Sequence, residues 1–245
     1  MVFSREGGLQ QTRARRTRRA ILDAAAEVFG RQGYDGTALS DILDAAGVTK
    51  GALYFHFTSK RQVAEVVLEE EAAQWAGLAS RAERGAPGLQ GLIDFSFAVA
   101  RHIQGSPVAH AGVRLRRDGS GFSGPWGAPE ESCAALGRCF LRRARTDREL
   151  RGGIDCDAAA DTVVAAVIGA QLLDERVPGG PALEERISAI WRLLLPGIVP
   201  ESRSADYRVT APEPPAAADG GDGGNGGDAA GREAPTGPAA YGPVS

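Results

Sequence analysis

Apolar side chains recur at intervals of three and four along most of this chain, and that spacing fits helices and not strands. Ile21, Leu22, Ala25, Val28 and Phe29 form one such stripe, stopped by Gly33. Leu39, Ile42, Leu43 and Ala46 form a shorter one, stopped by Gly47. Ser59 followed by Gln62 is a capping-box signature that opens a long helix through Val63, Val66 and Val67 toward Trp75. Residues 89–103, 130–150, 157–173 and 183–195 read as further helices. The last carries Ile187, Ile190, Trp191 and Leu194 and is ended by Pro196 and Pro200. Residues 117–129, rich in glycine and proline, read as a loop, and no stretch shows convincing strand alternation between turn signals. The expected fold class is all-α.

Charge divides the chain more sharply than hydropathy does. The net charge is −3. Up to residue 61 there are ten basic and six acidic side chains, a net +4; the remainder holds 18 basic and 25 acidic, a net −7. A basic head is the electrostatic footprint of nucleic-acid binding, carried here on an acidic body. Only two of the 28 basic residues are lysines, Lys50 and Lys60. Residues 211–245 hold nine glycines and six prolines, with Tyr241 and Val244 as the only large apolar side chains. Such a segment cannot bury enough surface to offset its ordering entropy. The expected organisation is a flexible basic leader over 1–14, a DNA-binding head over 15–75, a helical body over 76–210 and a disordered tail over 211–245.

Several functional classes are disfavoured. Cys133, Cys139 and Cys156 form no CxxC pair, which argues against a disulfide framework and fits a reducing cytoplasm. His56, His102 and His110 show no metal spacing, and no GxSxG, Walker or GxGxxG context is present, so neither an enzyme nor a metal or other cofactor is expected. No uninterrupted apolar run reaches membrane-spanning length, and the arginines near the N-terminus precede no apolar signal core. No membrane partner is expected.

The string TALSDILDAAGVTKGALYFHF, residues 37–57, carries the function. Thr37 reads as the cap of a short helix, Ala46-Gly47-Val48 as a tight turn, and Thr49 as the cap of a second short helix. Helix, glycine turn, helix is the arrangement whose second helix enters the DNA major groove N-terminus first. Gly51 in that helix costs roughly 0.5–1 kcal/mol against alanine, which is tolerated where backbone must approach a phosphate closely. Thr49 and Lys50 place a hydroxyl and a cation at the same end, and Tyr54, one turn on, can reach a phosphate. His56 and Lys60 continue the polar side, while Leu53, Phe55 and Phe57 are expected in the core. Lys50 is expected on guanine O6/N7, and Thr49 or Ala52 on a thymine methyl.

From Ile21 to Lys60 the sequence, with AAAEVFGRQGYDGTALSDILDAAGVTKGALYFHFTSK, closely resembles the DNA-binding domain of TetR-type repressors. The resemblance implies a three-helix helix-turn-helix head, a larger helical-bundle body for ligand binding and dimerisation, and a homodimer on pseudo-palindromic operator DNA. The helix from Ser59 would link head and body. The body strings GVRL (112–115), GGIDCDAAADTVVAAVIGAQLL and RISAIWRLLLPGIVP resemble the γ-butyrolactone receptor subgroup. That resemblance implies a repressor of antibiotic genes released from DNA by a small diffusible signal. In that subgroup a pocket tryptophan precedes the IDxD segment; here the position falls near Cys133, and Trp126 lies seven residues earlier. Either Trp126 fills the role, or Cys133 replaces it, as in pseudo-receptors that answer other ligands such as the antibiotic. Thr162 matches a pocket threonine, and Glu71, Trp75 and Phe97 are further candidates for the same cavity. The competing class is a constitutive architectural DNA-binding protein, which would not need so large a body. Residues 157–173 and 183–195 are expected to form the dimer surface, where Ala165, Ala166, Gly169 and Ala170 allow close helix approach.

Overall fold

The computed structural model describes residues 5–117, 121–122, 129–177 and 179–212, with side chains described from residue 11. Of the tail expected to be disordered, 211–245, residues 213–245 lie outside the described residues, while Ala211 packs against the apolar core of the body. Among the described residues there are nine α-helices, one short 3-10 segment and no strand. The helices are α1 Arg5–Gly36, α2 Leu39–Ala46, α3 Lys50–His56, α4 Lys60–Glu83, α5 Gly88–Gly105, α6 Pro107–Arg117, α7 Pro129–Thr146, α8 Cys156–Arg176 and α9 Leu183–Ile198, followed by the 3-10 segment Glu201–Asp206.

Two apolar cores organise them. The first joins Ile21, Leu22, Val28 and Phe29 of α1 to Ile42, Leu53, Phe57, Val63, Val67 and Leu68, and is closed by Val108, Ala111 and Leu115 of α6. The second joins Trp75 and Leu78 to the inward faces of α5, α7, α8 and α9. Helix α4 therefore contributes its first half to one core and its second half to the other. Helix α6 belongs to the first core alone, packing along α1 while touching α4 and α5.

Local chemistry explains most boundaries. Gly33, at φ 72°, breaks the helical geometry of α1. Gly47 ends α2 in the left-handed conformation at φ 63°, which glycine adopts without steric cost. Ser59 Oγ accepts from the Gln62 N–H at 3.1 Å. The Gln62 side chain, however, reaches one residue further back than a capping box requires, accepting from the Thr58 N–H at 2.6 Å.

Several expectations are corrected. The leader read as flexible is helical from Arg5. Thr37 does not cap α2: it is buried, and its hydroxyl donates to the Gly33 carbonyl at 2.6 Å. Ala38 holds the cap position, where the Asp41 carboxylate accepts its N–H at 2.9 Å. Phe55 is not core; it is 78% exposed. Helix α6 was not anticipated, although Ser106 Oγ accepting from the Ala109 N–H at 3.2 Å, followed by Pro107, is a legible start signal. Pro196 does not end α9, which runs to Ile198. Pro196 and Arg192, whose carbonyl loses its helical donor, both face solvent, so water can satisfy that carbonyl.

Helix α8 alone among the described residues is long and apolar enough to cross a membrane by length and composition. Its Ala160, Val163, Val167 and Ala170 pack into the second core. Ile168 and Leu173 of the same helix and Val177 just after it remain partly exposed, as does Leu193 of α9 at 81%.

Gly91 on α5 has no room for a side chain, since a Cβ would collide with the Ala86 carbonyl and the Phe140 ring. Gly91→Ala is expected to lower stability by about 1–3 kcal/mol, the usual cost of overpacking, read from the urea midpoint. An unchanged midpoint would mean that α5 and α7 are not so closely packed.

Candidate DNA interface and ligand cavity

The recognition surface is built by α2, the Gly47 turn and α3. Thr49 caps α3, its Oγ1 accepting from the Ala52 N–H at 3.2 Å. Leu53 is fully buried and anchors the helix, while Lys50, Gly51, Tyr54 and Phe55 are exposed and Ala52 and His56 half-buried. The Lys50 ammonium lies 5.9 Å from the Tyr54 ring centroid. A Cβ built on Gly51 meets no atom within 4 Å. Packing inside the chain therefore does not require that glycine, and a requirement must come from something that approaches from outside. The sequence reading missed Phe55 as a surface residue; an alternation of Leu53, Phe55 and Phe57 suits a strand, and on a helix Phe55 points away from its neighbours.

Two residues expected at this surface serve the head itself. Thr37 is buried against α1 as described. Lys60 Nζ donates to the carbonyls of Tyr34 and Thr37, both at 2.7 Å, and lies 4.2 Å from the Tyr34 ring centroid. It satisfies carbonyls left open where α1 ends, and so fixes the start of α4 to the end of α1.

In the body, a cavity of about 290 Å³ opens between α4, α5, α6, α7 and α8. Its wall is mostly apolar: Trp75, Leu92, Phe95, Val99, Ile103, Val113, Pro129, Val163, Val164, Val167 and Ile168. Ser96, Arg116, Arg117, Glu130, Cys133 and Gln171 supply the polar part. Of the expected ligand residues, Trp75 and Cys133 line this wall. Phe97 is fully buried in the core outside it. Thr162 also lies outside it: the residue is exposed, and its hydroxyl donates back to the Ala158 carbonyl at 2.8 Å. One residue of helical rotation separates it from Val163, which does face the cavity. Trp126 lies outside the described residues.

Glu71 sits directly behind the wall and is 0% exposed. Its carboxylate accepts from Trp75 Nε1 at 3.1 Å and from both terminal nitrogens of Arg116, one of them at 2.5 Å. Arg116 on α6 is thus paired bidentately with Glu71 on α4. Gly112, one turn before Arg116, makes this possible, because a Cβ there would collide with the Glu71 carboxylate. The remaining donor of Arg116, Nε–H, is buried and has no partner among the described residues.

Other polar groups of the wall are already engaged. Ser96 Oγ donates to the Ile93 carbonyl at 2.6 Å and accepts from Trp191 Nε1 at 2.8 Å. Arg117 pairs with Glu175 at 2.7 Å. Burial, with Glu130 nearby, pushes the Cys133 thiol up to about 12. Burial and the Arg81 charge hold the His102 imidazole, edge-on to Trp75 at 5.3 Å, below its usual range. Sequence reasoning missed Arg116 and Gln171, because periodicity marks a residue as inward or outward and does not say which inward space is empty.

Residues 21–67 match the bacterial regulatory proteins of the tetR family, and residues 86–200 match the tetracyclin repressor-like C-terminal domain. The chain belongs to the tetR family. The A-factor receptor protein of Streptomyces griseus is 36% identical over 191 residues, 77% of this chain and 66% of that protein. The chain thus spans just under two thirds of that relative's length. A crystal structure of a γ-butyrolactone receptor (ArpA-like protein) superposes with a TM-score of 0.70 at 36% identity, covering 80% of this chain and 94% of that one. The structure of CprB from Streptomyces coelicolor with its operator sequence gives 0.67 at 36% identity, with the same coverage.

Three outcomes follow from this geometry. Glu71→Gln should destabilise the fold by about 3 kcal/mol, the lower end for breaking a buried pair, since Arg116 keeps 19% of its side chain exposed; an unchanged denaturation midpoint would count against the pair. Because the Cys133 thiol is held protonated at neutral pH, iodoacetamide should label the exposed Cys139 first, with Cys133 lagging until strongly alkaline pH. Peptide mapping that finds Cys133 labelled as fast would contradict its burial in the wall. Thr162→Val should leave the response to any effector unchanged, and a shifted response would return Thr162 to the cavity.

Proposed function

We propose that this protein is a homodimeric repressor that binds pseudo-palindromic operator DNA through α3 and is released by a small signal bound in the body cavity. The observation that carries this reading is the double membership of α4. One helix supplies Val63, Val67 and Leu68 to the head core and Trp75 to the cavity wall, and Glu71 grips the cavity's arginine from the same helix. A ligand that alters the wall at Trp75 or Arg116 acts on the helix that carries the head. It shifts DNA affinity only by its different affinity for the two conformers.

On the DNA side, Lys50, Tyr54 and Thr49 occupy the exposed face and N-terminal end of α3, with Gly51 and Ala52 allowing close approach and His56 at the edge. Two such helices in a dimer would enter successive major grooves roughly 34–36 Å apart. The exposed apolar side chains Ile168, Leu173 and Leu193 on α8 and α9 support dimerisation through those helices. The reading places the protein in the cytoplasm, without a catalytic role.

The cavity chemistry narrows the signal. A volume near 290 Å³ with an apolar wall suits a compact molecule with an alkyl or aryl portion. The Arg116 guanidinium in the wall already has its charge neutralised by Glu71, and Glu130 adds negative charge to the wall. An uncharged acceptor such as a lactone or ketone oxygen fits there better than a carboxylate. This supports a γ-butyrolactone-like signal and, with it, control of antibiotic genes. A second reading, response to an antibiotic itself, is favoured by Cys133 lining the wall where a tryptophan is expected from the subgroup resemblance.

A gel shift on the DNA upstream of the chain's own gene, titrated with neutral butyrolactones, their ring-opened acids and the local antibiotic, separates these. Release by neutral lactones and not by the acids is expected; release by the antibiotic alone would support the second reading, and release by nothing would remove the effector role. In the same assay Lys50→Ala and Tyr54→Phe should weaken operator binding about tenfold or more, as expected when a charge-assisted phosphate or base hydrogen bond is removed, while helicity is unchanged. Unchanged affinity in both would sink the assignment of α3.

A further inference from the structure

The arginine run in the first half of α1 remains unexplained by the helix-turn-helix. Helix α1 begins at Arg5, and the first fully buried residue among its described side chains is Ile21. From residue 11, where its described side chains begin, the helix runs about 15 Å before it reaches Ile21, at 1.5 Å per residue. Arg13, Arg15, Arg16, Arg18 and Arg19 fall in this extension, all exposed, and no acidic residue occurs between Glu6 and Asp23. Arginines three and four apart on one helix repel one another, so the run weakens its own helix unless something neutralises it.

Part of the run is tied to the head. Arg19 pairs with Asp23 at 2.8 Å and with Glu70 of α4 at 2.5 Å. The Arg18 guanidinium lies 5.3 Å from the ring centroid of Phe57, the residue that ends α3. This proximity sets the extension beside the C-terminal end of the recognition helix. Arg13, Arg15 and Arg16, one turn further out, form no ion pair with any described side chain. The match to the tetR family begins only at residue 21, so these arginines lie ahead of the shared domain.

We propose that the N-terminal extension of α1 is a second DNA contact, a clamp of Arg13, Arg15 and Arg16 on the phosphodiester backbone flanking the groove that α3 enters. It rests on the reading of α3 as the recognition helix. Duplex DNA carries one negative charge per about 1.7 Å of axis, which suits a run of unpaired guanidiniums beside the recognition helix. The arginine fork binds phosphate oxygens in pairs without reading bases. The clamp therefore adds affinity and salt dependence, and no sequence preference.

The test uses the full-length protein and two labelled duplexes, one selected from a randomised pool by the wild-type chain and one scrambled from it. Dissociation constants are measured by anisotropy between about 50 and 200 mM KCl. The triple variant Arg13→Gln, Arg15→Gln, Arg16→Gln should flatten the log–log salt slope on both duplexes by about 0.9 for each phosphate it no longer neutralises, while the selected-to-scrambled affinity ratio stays at its wild-type value. The corresponding triple lysine variant should keep the slope. A glutamine variant with the wild-type slope overturns the clamp, and so does one whose affinity ratio collapses at constant slope. If the wild-type chain selects no sequence from the pool, the reading of α3 fails, and the slope on the scrambled duplex still decides the clamp.

Discussion

The buried pair of Glu71 and Arg116 is the interaction on which the regulatory part of this structure depends. A carboxylate with no solvent exposure is tolerable only if its lone pairs are filled and its charge matched. Here Arg116 supplies two donors and Trp75 a third. The pair ties α6, which packs in the first core and lines the cavity, to α4, the helix that takes part in both cores. Weak, screened ion pairs on the surface could not hold two helices in a fixed relation, whereas a desolvated bidentate pair has few alternatives of similar energy. Arg116 also lines the cavity, so the element that sets the orientation of α4 is in reach of whatever fills that space.

Glycine acts at the two functional surfaces for different reasons. At Gly112 the neighbour is inside the chain: the Glu71 carboxylate occupies the volume a side chain would need. At Gly51 nothing in the chain occupies that volume, and the helix carries the conformational cost without an internal return. The first glycine is explained by the fold. The second is explained only by an outside surface that comes as close as α3 is expected to come to DNA.

Much of the head was legible in the sequence because its signals are local. The stripe from Ile21 to Phe29, the left-handed turn at Gly47 and the cap at Thr49 are all decided within a few residues. The internal role of Lys60 was not legible because its partners, the carbonyls of Tyr34 and Thr37, lie 26 and 23 residues away; Thr37, read as a cap, turns back onto the Gly33 carbonyl four residues earlier. In the body, helix content was legible and the cavity was not. Its wall comes from five helices, and whether Thr162 or Val163 faces it is a matter of one residue's rotation. The Glu71–Arg116 pair joins residues 45 apart in sequence, a separation at which periodicity carries no information. The string GVRL stands out as a body motif, yet its physical content, Gly112 making room for a carboxylate, needed the packing.

If the cavity speaks to the head through this pair, the decisive quantity is the coupling between signal and DNA, the ratio of operator dissociation constants with and without a signal that releases the wild-type protein. It should be measured in wild type and in the double variant Glu71→Gln, Arg116→Met, which removes both charges together and so avoids stranding one. The expected result is a folded variant that still binds operator and in which the ratio falls close to one. A ratio equal to that of the wild type, with signal binding intact, would contradict the role assigned to the pair.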